Sequence, residues 1–140
     1  MGKVISLNTS EKRGVEKTQV FSVNAIKGFG IEGDGHAGPW DRQISLLPIE
    51  ALEKVPHDKI EEVKIGGFTE NITIEGISLD NLGIGTLIQI GEAIIKVLYI
   101  GKEEYKEHGR PYIVSREGRF GTVIKSGKIN IDDSVEVIKI

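Results

Sequence analysis

Eighteen glycines, all but one pair scattered singly among short runs of valine, isoleucine and leucine, are the feature that most restricts what this chain can fold into. In 140 residues they amount to about 13%, against roughly 7% in average proteins. A glycine inside a helix or strand weakens it, whereas a glycine between two apolar runs supplies the backbone freedom of a turn. The chain therefore reads as many short strands joined by tight turns.

Residues 3–7 (KVISL) form a first strand, followed by a charged, exposed connection over 8–17. Residues 19–26 alternate, with Phe21, Val23 and Ala25 on one face and Ser22 and Asn24 on the other. Residues 28–41 (GFGIEGDGHAGPWD) hold five glycines and a proline, which fits neither helix nor strand, so a long ordered loop is expected. Strand character returns at 42–47 (RQISLL). Pro48 then suits the first turn of a short helix in which Ile49, Leu52 and Val55 recur at about one helical turn. Pro56 ends it, and 57–63 reads as a second brief helical turn.

Residues 71–75 alternate with Ile72 and Ile74 inward, and 86–90 and 93–100 flank Gly91-Glu92, a pair suited to a two-residue hairpin. A second hairpin is expected around Ser126-Gly127, between strands at 121–125 and 128–131, with 135–140 as the last strand. The interval 101–119 is polar and little patterned, a second long loop or short exposed helix. Seven to nine short strands with one or two short helices, in a single domain over 1–140, argue for a mainly β barrel or compact sandwich whose closure protects strand edges.

Charge and composition narrow the function. Eighteen Lys and Arg against 21 Asp and Glu leave a net charge of −3, which argues against a general nucleic-acid binder. Aromatic residues at 6% offer few stacking platforms for single strands. No apolar run is long enough to span a bilayer and no signal-like segment opens the sequence, so a cytoplasmic protein without a membrane partner is expected. With no cysteine, disulfides and thiolate metal sites are excluded.

Two segments can carry chemistry. Glu32 to Gly38 sets two carboxylates and His36 among glycines, but lacks the three-ligand spacing of a zinc site and the alternating acids of a calcium loop, so no structural metal is expected. The plainer reading has Asp34 and His36 pinning the loop by hydrogen bonds. Arg42, at a strand mouth beside this loop, is placed to hold a phosphate or carboxylate with loop N–H groups as further donors, or else to pair with Asp41 or Asp34. Phe68-Thr69-Glu70-Asn71 reads first as a strand-entry cap. Lys102, Arg110, Arg116 and Arg119 put four cations in the second long segment, either as solvated surface or as an anion clamp with Arg42. GFGIEG at 28–33 matches a dinucleotide glycine signature in letters alone, without its βαβ setting, and a GxSxG nucleophile elbow is absent.

In order along the chain, GDGHAG (33–38), RQISLL (42–47), FTENITIEGISLDNLGIGTLIQIG (68–91), IGK (100–102) and REGRFGTVIKSGKINIDDSVEV (116–137) resemble a small bacterial MOSC domain protein, the family named for the C-terminal domain of molybdenum cofactor sulfurase. The resemblance implies a closed or partly open β-barrel and a role in handling or building the molybdenum cofactor. The ligand implied is molybdopterin or another pterin phosphate, with pyridoxal phosphate binding at family level and molybdoenzyme-maturation proteins as partners. It implies a site lined by Gly35, His36, Ala37, Gly38, Arg42, Thr69, Glu70, Asn71, Lys102, Arg116, Glu117 and Gly118. The family's sulfur-carrying cysteine, between the IGK and REG segments, is missing here, and Tyr112 is the nearest residue to its place. A persulfide needs a thiolate, so cysteine-borne sulfur transfer is not expected. Two alternatives stand beside cofactor binding: a small-substrate enzyme with His36 as general acid/base oriented by Glu70 or Glu117, and a structural or partner-binding barrel.

Overall fold

The computed structural model describes residues 2–10, 18–35, 37–54, 70–101 and 118–138. Its strands are β1 (Gly2–Thr9), β2 (Thr18–Val20), β3 (Ser22–Ile26), β4 (Gly30–Ile31), β5 (Ile44–Pro48), β6 (Ile72–Glu75), β7 (Leu87–Ile90), β8 (Ala93–Ile100), β9 (Arg119–Lys125), β10 (Gly127–Asn130) and β11 (Ser134–Ile138). Short 3-10 turns occupy Ile49–Lys54 and Leu79–Asn81. The expected mainly β architecture is the one observed.

Seven strands close into a barrel in the order β11-β7-β8-β9-β5-β6-β1, and β1 returns to β11 through Gly2↔Val135 and Lys3↔Ser134. All neighbours are antiparallel except β5 and β6, which run parallel. β1 bulges between Val4 and Ser6, so its first residues pair with β11 while its last three pair with β2. Alternation fills the interior: Val4 and Leu7, Ile44 and Leu46, Ile72 and Ile74, Ile88 and Ile90, Ile95 and Val97 all join one buried cluster. Gly121 makes the β8–β9 approach possible, since a methyl group there would overlap the Lys96 carbonyl oxygen.

β10, β3 and β4 form a second, three-stranded sheet that corrects three expectations. First, residues 19–26 are not one strand. The chain changes sheets at Phe21, whose carbonyl accepts from the Ile131 N–H at 3.0 Å and whose side chain is 88% exposed. Second, the long glycine loop contains β4, which pairs with β3 and buries Ile31 completely. Third, Ser126-Gly127 is no hairpin. β9 stays in the barrel, β10 pairs with β3 through Gly127↔Ala25, and the Ser126 hydroxyl accepts from the Lys27 N–H at 2.8 Å, so this pair is a corner between sheets.

The Gly91-Glu92 hairpin forms as expected. Ile90 faces Ala93, and only Gly91 of the two turn residues has positive φ, as a type II′ turn requires. Two boundaries shift. Asn8, expected in the exposed connection, is a buried residue of β1, and Pro48 closes β5 so that the helical turn begins just after it. The rest of that connection (11–17), the second helical turn (57–63) and most of the polar interval (102–117) lie outside the described residues.

Candidate functional site at one barrel rim

β5 and β6 begin and β1 ends at one rim of the barrel, whereas β8 ends and β9 begins toward the opposite one. A lateral row follows from the register: Tyr99 faces Phe120, Phe120 faces Ser45, Ser45 is hydrogen-bonded to Asn71, and the Asn71 carbonyl accepts from the Asn8 N–H at 2.9 Å. Of the segments singled out in the sequence, Arg42 lies just before β5 and Glu70-Asn71 just before β6, whereas Gly101 follows β8 and Gly118 precedes β9. The Gly101 N–H donates to the Gly118 carbonyl at 2.8 Å, so both ends of the second polar segment meet there.

Arg42 is the cation this arrangement displays. Its guanidinium carbon lies 4.4 Å from the Tyr99 ring centroid and 4.8 Å from that of Phe120, within cation–π range of both. The expected alternative, an ion pair with Asp41 or Asp34, does not form. Lys3–Glu75 is the ion pair found among the described residues. Instead the Tyr99 hydroxyl donates to Asp41 Oδ2 at 3.0 Å, and one terminal nitrogen of Arg42, Nη1, is buried with no hydrogen-bond partner among the described residues. A buried, unmatched guanidinium N–H is costly and is satisfied by an oxyanion. Asp41, through its hydrogen bond and its charge, raises the Tyr99 pKa above the usual tyrosine value, and burial adds to this while the Arg42 charge opposes it.

The glycine loop is pinned by hydrogen bonds, the plainer of the readings given to it. Gly35 donates its N–H to the Ser10 carbonyl, Ala37 to Asp34 and Gly38 to Phe29, at 2.6, 3.2 and 2.7 Å. Those backbone donors are therefore engaged within the protein. Asp34, 7% exposed, accepts the Ser10 N–H at 3.0 Å, which ties the loop to the end of β1. Gly38 requires its residue type, since its φ is +148°.

Asn71 also turns inward. Its Oδ1 accepts from the Ser45 N–H and hydroxyl at 2.9 and 3.2 Å, and its Nδ2 donates to the Asn8 carbonyl at 3.2 Å. It thus clasps β5 to β1 at the mouth of β6, the capping role that composition favoured. Glu70 beside it is 3% exposed, its carbonyl accepting from Asn8 Nδ2 at 3.1 Å. Arg119, counted among the candidate cations, is an internal brace: it is 4% exposed and donates to the carbonyls of Leu82 and Leu79 at 3.1 and 3.3 Å. His36, Thr69, Lys102, Arg116 and Glu117 lie outside the described residues. Among the described residues, no three His, Cys, Asp or Glu side chains gather as a metal site would need.

Sequence reasoning missed Tyr99 and Phe120, and it took Asp41 as a partner of Arg42 rather than of Tyr99. Aromatics at strand ends carry no mark of function, and only their register across β8 and β9 brings them under Arg42. An open cleft of about 440 Å³ lies at Asp41, lined also by Lys27, Trp40, Gln43 and Thr122. Gln43 is held there by its Oε1, which accepts from the Val123 N–H at 3.1 Å.

The MOSC domain family model matches residues 33–99, the stretch from the glycine loop through Tyr99. The chain is thus similar to a MOSC domain over nearly half its length. It is 24% identical to Protein YiiM of Escherichia coli (strain K12) over 155 residues, covering 98% of this chain and 69% of that one. In fold it is similar to the YuaD protein of Bacillus subtilis, with a TM-score of 0.71 at 18% identity over 98% of this chain and 96% of the other. It is likewise similar to YiiM of Geobacillus stearothermophilus, with a TM-score of 0.67 at 18% identity over 99% and 76%. The chain lacks cysteine throughout the given sequence. No helix among the described residues is long and apolar enough to cross a membrane.

Proposed function

We propose that this chain is a MOSC-family protein that binds a phosphate-bearing small molecule at the barrel rim, the pterin phosphate of the molybdenum cofactor being the ligand class, and serves in handling that cofactor. The observation that carries the reading is Arg42: a guanidinium braced on Tyr99 and Phe120, with one buried nitrogen that has no partner among the described residues. A phosphate fits that nitrogen in charge and in hydrogen-bonding need. Lys102 and Arg116, which lie outside the described residues, are the further cations that this reading brings to the ligand.

The protein's own part is to bind and orient. Arg42 meets the phosphate, while Asn71 and the Asp34–Ser10 tie hold β5, β6 and β1 in register around it. The cofactor, when bound, supplies the redox chemistry of molybdenum. A persulfide carried by this chain has no place in the scheme, because no thiolate is present to bear it.

The test is native mass spectrometry of the purified protein, with heat-released material examined for pterin fluorescence and molybdenum, followed by titration with the released pterin and with pyridoxal phosphate. Pterin uptake by the wild type and its loss in Arg42→Ala support the reading. Uptake of pyridoxal phosphate alone moves the ligand class while keeping the site. Unchanged affinity in Arg42→Ala overturns the site, and failure to take up either ligand shifts the function to a partner-binding barrel.

A further inference from the structure

We infer that Tyr99 is a positioning residue of the anion site: its hydroxyl holds the Asp41 carboxylate so that Arg42 keeps its charge for a bound oxyanion. The inference rests on the reading of Arg42 as the ligand cation. Asp41 precedes Arg42 in the chain and is the carboxylate nearest to it in sequence, the obvious candidate to neutralise it. Instead, Asp41 Oδ2 receives the Tyr99 hydroxyl at 3.0 Å, and Asp41 makes no ion pair with Arg42. The same tyrosine offers its ring to the Arg42 guanidinium at 4.4 Å, while Phe120, its partner across β8 and β9, offers a second at 4.8 Å.

One side chain thus does two things to two consecutive residues. Its hydroxyl occupies the competing anion, and its ring supports the cation. A guanidinium resting on ring faces keeps its N–H groups in its own plane, directed past the ring edges, which suits an oxyanion accepting two parallel hydrogen bonds. The ligand chemistry is therefore a phosphate, phosphate ester or similar oxyanion. A lysine ammonium in place of Arg42 would lose the stacking.

The experiment measures binding of inorganic phosphate by calorimetry to wild type, Tyr99→Phe, Asp41→Asn, the double variant and Arg42→Ala, with thermal unfolding as a check on each. Tyr99→Phe keeps the ring and frees Asp41 to pair with Arg42, so phosphate affinity falls about fivefold, the size of one surface ion pair. Asp41→Asn alone stays within about twofold of wild type, and adding it to Tyr99→Phe restores affinity, because the competing charge has gone. A merely structural tyrosine would not be rescued by removing a neighbouring carboxylate. Unchanged affinity in Tyr99→Phe, or no rescue in the double variant, overturns the inference while leaving the anion site in place if Arg42→Ala still abolishes binding. A large gain in Asp41→Asn alone overturns it too, by showing that Asp41 already neutralises Arg42. Absence of phosphate binding by the wild type, or binding that survives Arg42→Ala, overturns both the site and this inference.

Discussion

Asn71 and Ser45 hold each other reciprocally: the Asn71 N–H donates to the Ser45 hydroxyl at 2.9 Å, and the Ser45 N–H donates to Asn71 Oδ1 at 2.9 Å. With Asn71 Nδ2 on the Asn8 carbonyl, one fully buried amide joins three strands of the barrel. Asn71→Ala leaves the Ser45 N–H and the Asn8 carbonyl unmatched and is expected to lower stability by about 2–4 kcal/mol, read from urea unfolding. Asn71→Asp keeps the acceptor but sets a carboxylate against the Asn8 carbonyl, so its loss should be at least as large at neutral pH and partly recovered on acidification.

Gly121→Ala should be the most damaging single methyl addition in β9. The added carbon would overlap the Lys96 carbonyl oxygen and crowd Val97, both backbone atoms of the paired strand, so β8 and β9 must part. A loss of about 3 kcal/mol or more is expected. Gly83→Ala, where nothing lies within 4 Å, is the control and should be near neutral.

Arg119→Met tests the brace. The substitution keeps most of the side-chain length but strands the Leu82 and Leu79 carbonyls that Nε and Nη2 satisfy. Stability should drop by roughly 2–3 kcal/mol, with phosphate affinity changed little in the protein that remains folded. A selective loss of phosphate binding with stability intact would instead return Arg119 to the ligand site.

Tyr99 gives the structure an alkaline signature. Its raised pKa, due first to the hydrogen bond to Asp41 and then to the Asp41 charge, means that the folded state holds the phenolic proton more tightly than the unfolded chain does. The stabilisation is complete below the ordinary tyrosine value of about 10 and disappears as pH rises through the higher folded value. Ultraviolet titration of wild type against Tyr99→Phe should show one tyrosine ionising late, and Asp41→Asn should bring that ionisation down.

The fold was legible where local chemistry decides it. Gly91-Glu92 forms its hairpin because a glycine with positive φ is sufficient to turn β7 into β8. Ser126-Gly127 uses similar residues, yet distant partners, Lys27 and Ala25, make it a corner. The alternating run around Phe21 concealed a change of sheet for the same reason. In the site, Arg42 was recognisable as a cation between a glycine loop and a strand. Tyr99 was invisible because its function depends on register with β9. Asn71 and the loop amides were visible as polar groups, but the direction in which they donate is set by β1 and β5, far away in the chain.

Barrel closure through Gly2↔Val135 and Lys3↔Ser134 also dictates a timetable. The seam unites the earliest described strand with the latest, so β1 can pair with β6 early but waits until residues 134–138 have left the ribosome before its first residues find their second neighbour. Contacts of such long sequence separation form slowly. Until then the Gly2–Lys3 edge and the β7 edge stand open, and the nascent chain is most exposed to pairing with other molecules just before β11 is synthesised.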